Sequence, residues 1–135
     1  MPGVSSLIWA AALAASPPPA GDPLVGRWHG TSLCQVKPSP CHDEEVVYHI
    51  SRKTGGGYSV AMSKVVAGTE QEMGAFDATF SPATGTLAGI TVDRRGAPGR
   101  WVFRLRGDRL SGRLVVNGST MFRRIEVGRE AAPAR

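Results

Sequence analysis

The run Leu24-Val25-Gly26-Arg27-Trp28-His29-Gly30, followed by short β-rich stretches separated by turn residues, constrains the fold more than any other feature of the chain. A glycine two positions before a tryptophan lets a first strand bend sharply, so that the indole can lie across one end of a rolled sheet. The pattern predicts strands over 26–34, 45–52, 57–66, 70–80, 86–92, 100–106, 109–116 and 119–127. Between them stand Thr54-Gly55-Gly56-Gly57, Ala67-Gly68, Ser81 to Gly85, Gly96-Ala97-Pro98-Gly99, Gly107-Asp108 and Asn117-Gly118, the last being the sharpest hairpin signal. Such short connections cannot carry parallel crossovers, so neighbouring strands are expected to be antiparallel. The expected fold is all-β: an eight-stranded antiparallel up-and-down β-barrel.

Alternation assigns an inward face. It holds Trp28 and Gly30, then Val46, Tyr48 and Ile50, then Tyr58, Val60 and Met62, then Phe76, Ala78 and Phe80. Trp101, Phe103 and Leu105 alternate with Arg100, Arg104 and Arg106, the cleanest period of two in the chain. Leu110, Leu114 and Val116 follow, then Met121, Ile125 and Val127. The fifth strand offers two faces, and Ala88, Ile90 and Val92 are taken as inward in preference to Leu87 and Thr91. An eight-stranded barrel is just wide enough for side chains to fill. So many inward aromatics favour a largely packed interior, with Gly30, Ala78, Ala88 and Gly112 leaving room for a small pocket at one end.

Residues 4–15 are uncharged and apolar, and Ala12-Leu13-Ala14 is an A-x-A-like cleavage site, with Ala20 a second candidate. The run is too short to span a bilayer. Residues 1–20 are therefore expected to be a signal peptide and the start of a Pro-rich linker (Pro17-Pro18-Pro19 to Pro23), and 21–135 one barrel domain with a short disordered C-terminal tail. The expected location is periplasmic or secreted. The formal charge is +5, and thirteen of the sixteen basic residues are arginine. Seven arginines lie between Arg94 and Arg113, a density suited to anionic ligands, phospholipid or acidic proteins. They alternate with apolar residues as outward strand positions do, so a solvated face is the preferred reading, and an envelope protein whose basic face meets anionic lipid is a further alternative. No nucleic-acid partner is expected.

Cys34 and Cys41 make an even pair in a chain expected to be exported, which suggests one disulfide. Sealing so small a ring removes about 2.5 kcal/mol of unfolded-state freedom on the chain-entropy relation. A metal reading competes, because His42, Asp43 and Glu44 follow Cys41, and His29 and His49 lie on neighbouring segments. Six residues between the cysteines exceed the two to four usual in zinc sites, so the disulfide is preferred and no metal is expected.

On Gly26, Trp28 and a basic residue in the last strand, the chain resembles the calycin superfamily, and within it the small exported lipocalin-like proteins of bacteria. The resemblance is mainly architectural. It implies that an arginine of the last strand packs across the first-strand indole, and Arg123 is the candidate because it shares a face with Met121 and Ile125, with Arg124 second. A cation over an indole contributes about 0.5–2 kcal/mol. The opening is also similar to that of nitrobindin-type haem barrels, which use a late histidine as iron ligand. No histidine follows His49, so no cofactor is expected.

Catalysis finds little support in the sequence. There is no G-x-S-x-G elbow, His42 and His49 with Asp43 lack a nucleophile partner, and His42 to Glu45 are consecutive residues that point alternately. A non-enzymatic, monomeric binding protein is expected, holding a small apolar or amphipathic molecule, with an anionic head met by arginines near the mouth. Trp28, Tyr48, Met62, Phe76, Trp101 and Phe103 are the candidate ligand-binding residues. The alternative is an inhibitor of an envelope protease or lysozyme that presents a packed barrel, with residues 17–23 or the loop 35–40 as its probe.

Overall fold

The computed structural model describes residues 21–37 and 40–131, so the expected signal peptide, most of the expected linker, residues 38–39 of the loop 35–40 and the last four residues lie outside the described ones. Eight strands, β1 (Gly26–Cys34), β2 (Glu44–Arg52), β3 (Tyr58–Val66), β4 (Thr69–Ser81), β5 (Thr86–Val92), β6 (Pro98–Arg106), β7 (Arg109–Val116) and β8 (Thr120–Arg129), form a closed antiparallel barrel in chain order. Every strand end lies within two residues of its expected position. The sharp turns explain this regularity. Ala67 and Gly68, and likewise Asn117 and Gly118, have φ of +52° and +79°, and +52° and +80°. Two successive residues at positive φ give the twist that an antiparallel hairpin needs.

Closure requires Gly30. A Cβ there would stand 1.9 Å from the Glu126 carbonyl oxygen, so only glycine lets β1 lie against β8. Inside, Phe76 stacks on Trp101 at 5.6 Å and Trp101 on Phe103 at 6.4 Å, while Tyr48 meets Phe103 edge-on at 5.9 Å. With Leu87, Leu110 and Ile125, this column packs the middle of the barrel. Cys34 and Cys41 form the expected disulfide at the end of β1.

One end is sealed by the residues before β1. Asp22 accepts the backbone N–H groups of Leu24 (2.9 Å) and Val25 (3.0 Å), and Leu24 tucks under the barrel, where its carbonyl accepts the Trp28 indole N–H at 2.9 Å. The cation over that indole is Arg129, whose guanidinium carbon lies 5.0 Å from the ring. This corrects the expected role of Arg123, which lies at the opposite end, where Nη1 donates to Ser32 Oγ. The register explains the difference. The sealed end holds the end of β8, and Trp28 pairs with Arg129, whereas Arg123 pairs with Cys34.

Two bulges separate further expectations from the result. On β8, Val115 pairs with Met121 but Leu114 pairs with Arg123, so Phe122 is an extra residue and the alternation inverts across it. Met121, expected inward, is 44% exposed. On β4, Met73 is the extra residue between Gly74, opposite Met62, and Glu72, opposite Ser63. Beyond it the β3–β4 tip curls over the outside of β1 and β2, where Glu70 meets Arg27 at 3.1 Å and His49 at 2.9 Å. Val47, an outward position by alternation, is consequently buried.

The face chosen for β5 was the wrong one. Leu87 is fully buried, while Ile90 and Val92 are 61% and 64% exposed. Pairing with β6 decides it, because Leu87 lies opposite Phe103 and Gly89 opposite Trp101. The β4–β5 ladder runs from Ser81 and Thr86 only to Ala78 and Gly89. Above that point the two strands diverge and the barrel wall has a slot.

Candidate functional site

The end opposite Trp28 is open, and every strand except β5 contributes a residue to the cavity there. Ser32 stands near the end of β1 and Glu44 begins β2, both on the inward parity of Trp28 and Tyr48. Arg123 continues the inward parity of Ile125 and Val127, and the bulge at Phe122 turns only Met121 beyond it outward. Together with Val46, Tyr48, Met62, Met73, Trp101 and Leu114 they line a cavity of about 210 Å³. Its wall has a polar arc of Ser32, Glu44, Tyr48 and Arg123 facing an apolar arc that includes Met62, Trp101 and Leu114.

Among the described residues, the Arg123 side chain makes its hydrogen bonds through one nitrogen. Nη1 donates to Ser32 Oγ (3.1 Å), to the Ser32 carbonyl (3.3 Å) and to the His42 carbonyl (3.1 Å), and it lies 3.6 Å from Glu44 Oε1. Nε and Nη2 donate to no described residue, so the other edge of the guanidinium fork is uncommitted. The side chain is only 14% exposed. Glu44 already supplies one carboxylate to Arg123, and the free edge of the guanidinium leaves donors for a second acceptor.

Tyr48 is 1% exposed and lines the cavity, and among the described residues no buried side-chain polar atom lacks a hydrogen-bond partner. Burial holds the Tyr48 ionisation well above the ordinary tyrosine value, with Arg123 pulling the other way and Glu44 adding to the rise. The hydroxyl therefore stays protonated and is a donor throughout the physiological range. As a lining residue of the cavity, Tyr48 can offer that donor to a ligand or water there.

Of the expected ligand residues, Tyr48, Met62 and Trp101 meet at this cavity. Phe76 lines the slot beside it, a cleft of about 650 Å³ between Met73 to Asp77 and Ile90 to Val92, with Met62 and Trp101 at its inner side. Trp28 lies at the sealed end, and Phe103 is buried below Trp101 in the aromatic column, so neither lines the cavity. Ser32 and Glu44 were missed although their parity signalled them. Arg123 had the inward parity of Ile125 but was assigned to the wrong end of the barrel, and Met73 carries no such signal, because its place depends on the β4 bulge.

The acidic run after Cys41 is dispersed by the strand. Asp43 accepts the Cys34 N–H at 2.8 Å, Glu44 faces the cavity, and Glu45 pairs with His29 on the outer face. Among the described residues, no group of three or more His, Cys, Asp or Glu is placed to hold a metal ion, and no helix is long and apolar enough to cross a membrane. No protein-family model matches the chain, and no curated protein matches it.

Proposed function

We propose that the protein is an exported, non-enzymatic carrier of a small amphipathic molecule with an anionic head, held at the open end of a lipocalin-like barrel. The observation that carries this reading is the meeting, in one cavity, of the protonated Tyr48 hydroxyl with an Arg123 guanidinium whose Nε and Nη2 donate to no described residue. A carboxylate there accepts from both groups, and Arg fits it in a bidentate fork. The apolar part then lies on Met62, Trp101 and Leu114. A cavity of about 210 Å³ is below the usual range for ligand pockets, which begins near 300 Å³. It suits a head and the first few carbons, and the slot past Phe76 accommodates the rest. The Cys34–Cys41 disulfide accords with an oxidising compartment.

The test is calorimetric titration with dodecanoate, using wild type, Arg123→Met and Tyr48→Phe. Saturable binding is expected, weakened about tenfold or more in Arg123→Met, since a hydrogen bond to a charged group contributes roughly 1.5–3 kcal/mol. Native mass spectrometry of protein from its own envelope would identify the resident molecule. No heat of binding together with a bare mass would reject the carrier reading and leave the inhibitor of an envelope protease or lysozyme.

A further inference from the structure

The outer face of β5 to β8, towards the open end, joins arginines to bare aliphatic side chains in one continuous patch. Ile90, Arg100, Val115 and Met121 lie side by side across the four strands, and the next outward row runs Ala88, Val102, Arg113, Arg124 and, on β1, Leu33. Ile90, Val92, Met121 and Leu33 are 61%, 64%, 44% and 39% exposed. Arg113 stands directly opposite Arg124, a like-charge pair that destabilises a sheet. Neither of them, nor Arg100, has a carboxylate partner among the described residues. Arg94 and Arg95 add to the charge in the β5–β6 loop, where the one acid, Asp93, accepts the backbone N–H groups of Arg95 (2.8 Å) and Ala97 (2.9 Å). Among the described residues, the barrel thus keeps an uncompensated positive field beside exposed aliphatic side chains.

We propose that this face docks on an anionic membrane surface. Ile90, Val92, Met121 and Leu33 enter the headgroup boundary, and Arg100, Arg113 and Arg124 meet lipid phosphates just behind them, their apolar stems lying along the same surface. A lipid surface fits better than a nucleic acid because the large apolar side chains exposed on the described residues are all aliphatic, and binding of single strands relies on aromatic platforms. Docking does not require a ligand in the cavity. It would nevertheless bring the slot, whose outer edge includes Ile90 and Val92, against the bilayer.

The test is sedimentation of the full chain with vesicles of phosphatidylcholine alone and of phosphatidylcholine with one-fifth phosphatidylglycerol, at roughly 0.1 M salt. Binding is expected only to the anionic vesicles, reduced about tenfold or more in Arg113→Gln/Arg124→Gln and in Ile90→Asp/Val92→Asp. Arg113→Glu separates docking from folding. It replaces repulsion by attraction opposite Arg124, so it should raise Tm while weakening vesicle binding. Equal binding to both vesicle types, or anionic-vesicle binding unchanged in these variants, would overturn the proposal. So would tight binding to RNA or to an acidic protein that the Ile90→Asp/Val92→Asp variant retains while the wild type ignores vesicles.

Discussion

Arg129 covers the Trp28 indole at 5.0 Å and, from the same guanidinium, donates to Asp108 Oδ1 at 2.9 Å and to the Val25 carbonyl at 3.1 Å. One side chain therefore ties the last strand, the β6–β7 turn region and the segment before the first strand. Arg129→Ala is expected to lower stability by about 2 kcal/mol, from lost stacking and lost charged hydrogen bonds. Urea unfolding followed by tryptophan fluorescence measures it. A loss under about 0.5 kcal/mol would mean that Trp28 seals the barrel unaided.

The sealed end should be sensitive to acid. Burial alone would raise the Asp22 carboxyl, but the N–H groups of Leu24 and Val25 and the Arg52 guanidinium outweigh it and hold the group below the ordinary value. Since the folded state favours the ionised form, this stability is complete above about pH 4 and is lost as pH falls through the depressed folded value. Asp22→Asn should therefore be less stable than wild type at pH 6, and the gap should narrow towards pH 2.5. Parallel denaturation curves across that range check it, and a gap that does not vary with pH would refute the assignment.

Two valines near the curled hairpin should behave oppositely. Val47 is fully buried although it lies on the outside of β2, whereas Val66 is 44% exposed at the tip of β3. Val47→Ala is expected to cost about 2 kcal/mol and Val66→Ala almost nothing. Equal effects would show that the hairpin does not cover β2 in solution.

Ala67 occupies a backbone position with φ of +52°, where a side chain is strained and Gly or Asn is at ease. Ala67→Gly should stabilise the protein by about 0.5–1 kcal/mol. Thermal unfolding detects this as a rise in Tm, and a fall would indicate that the turn departs from this geometry.

The extent of each strand was legible because hairpin turns and period-two runs are local properties. Asn117-Gly118 and the Trp101 to Arg106 alternation act within a few residues and need no partner. The inward parity of Ser32 and Glu44 was equally legible, since both continue runs already anchored by Trp28 and Tyr48. The candidate cavity was half visible on this basis, in Tyr48, Met62 and Trp101.

Local sequence thus suffices for strand, turn and barrel class, because each is favoured by the conformational preferences of neighbouring residues. It could not choose the face of β5, where Leu87 and Ile90 are both large and apolar and only the register with Phe103 and Trp101 separates them. Nor could it place Met73, Met121 and Phe122. A bulge shifts one strand against another, so its position is a property of the pair. Arg129 over Trp28, Arg123 in the cavity and the slot between β4 and β5 all follow from which residues long-range pairing leaves opposite one another, or leaves unpaired.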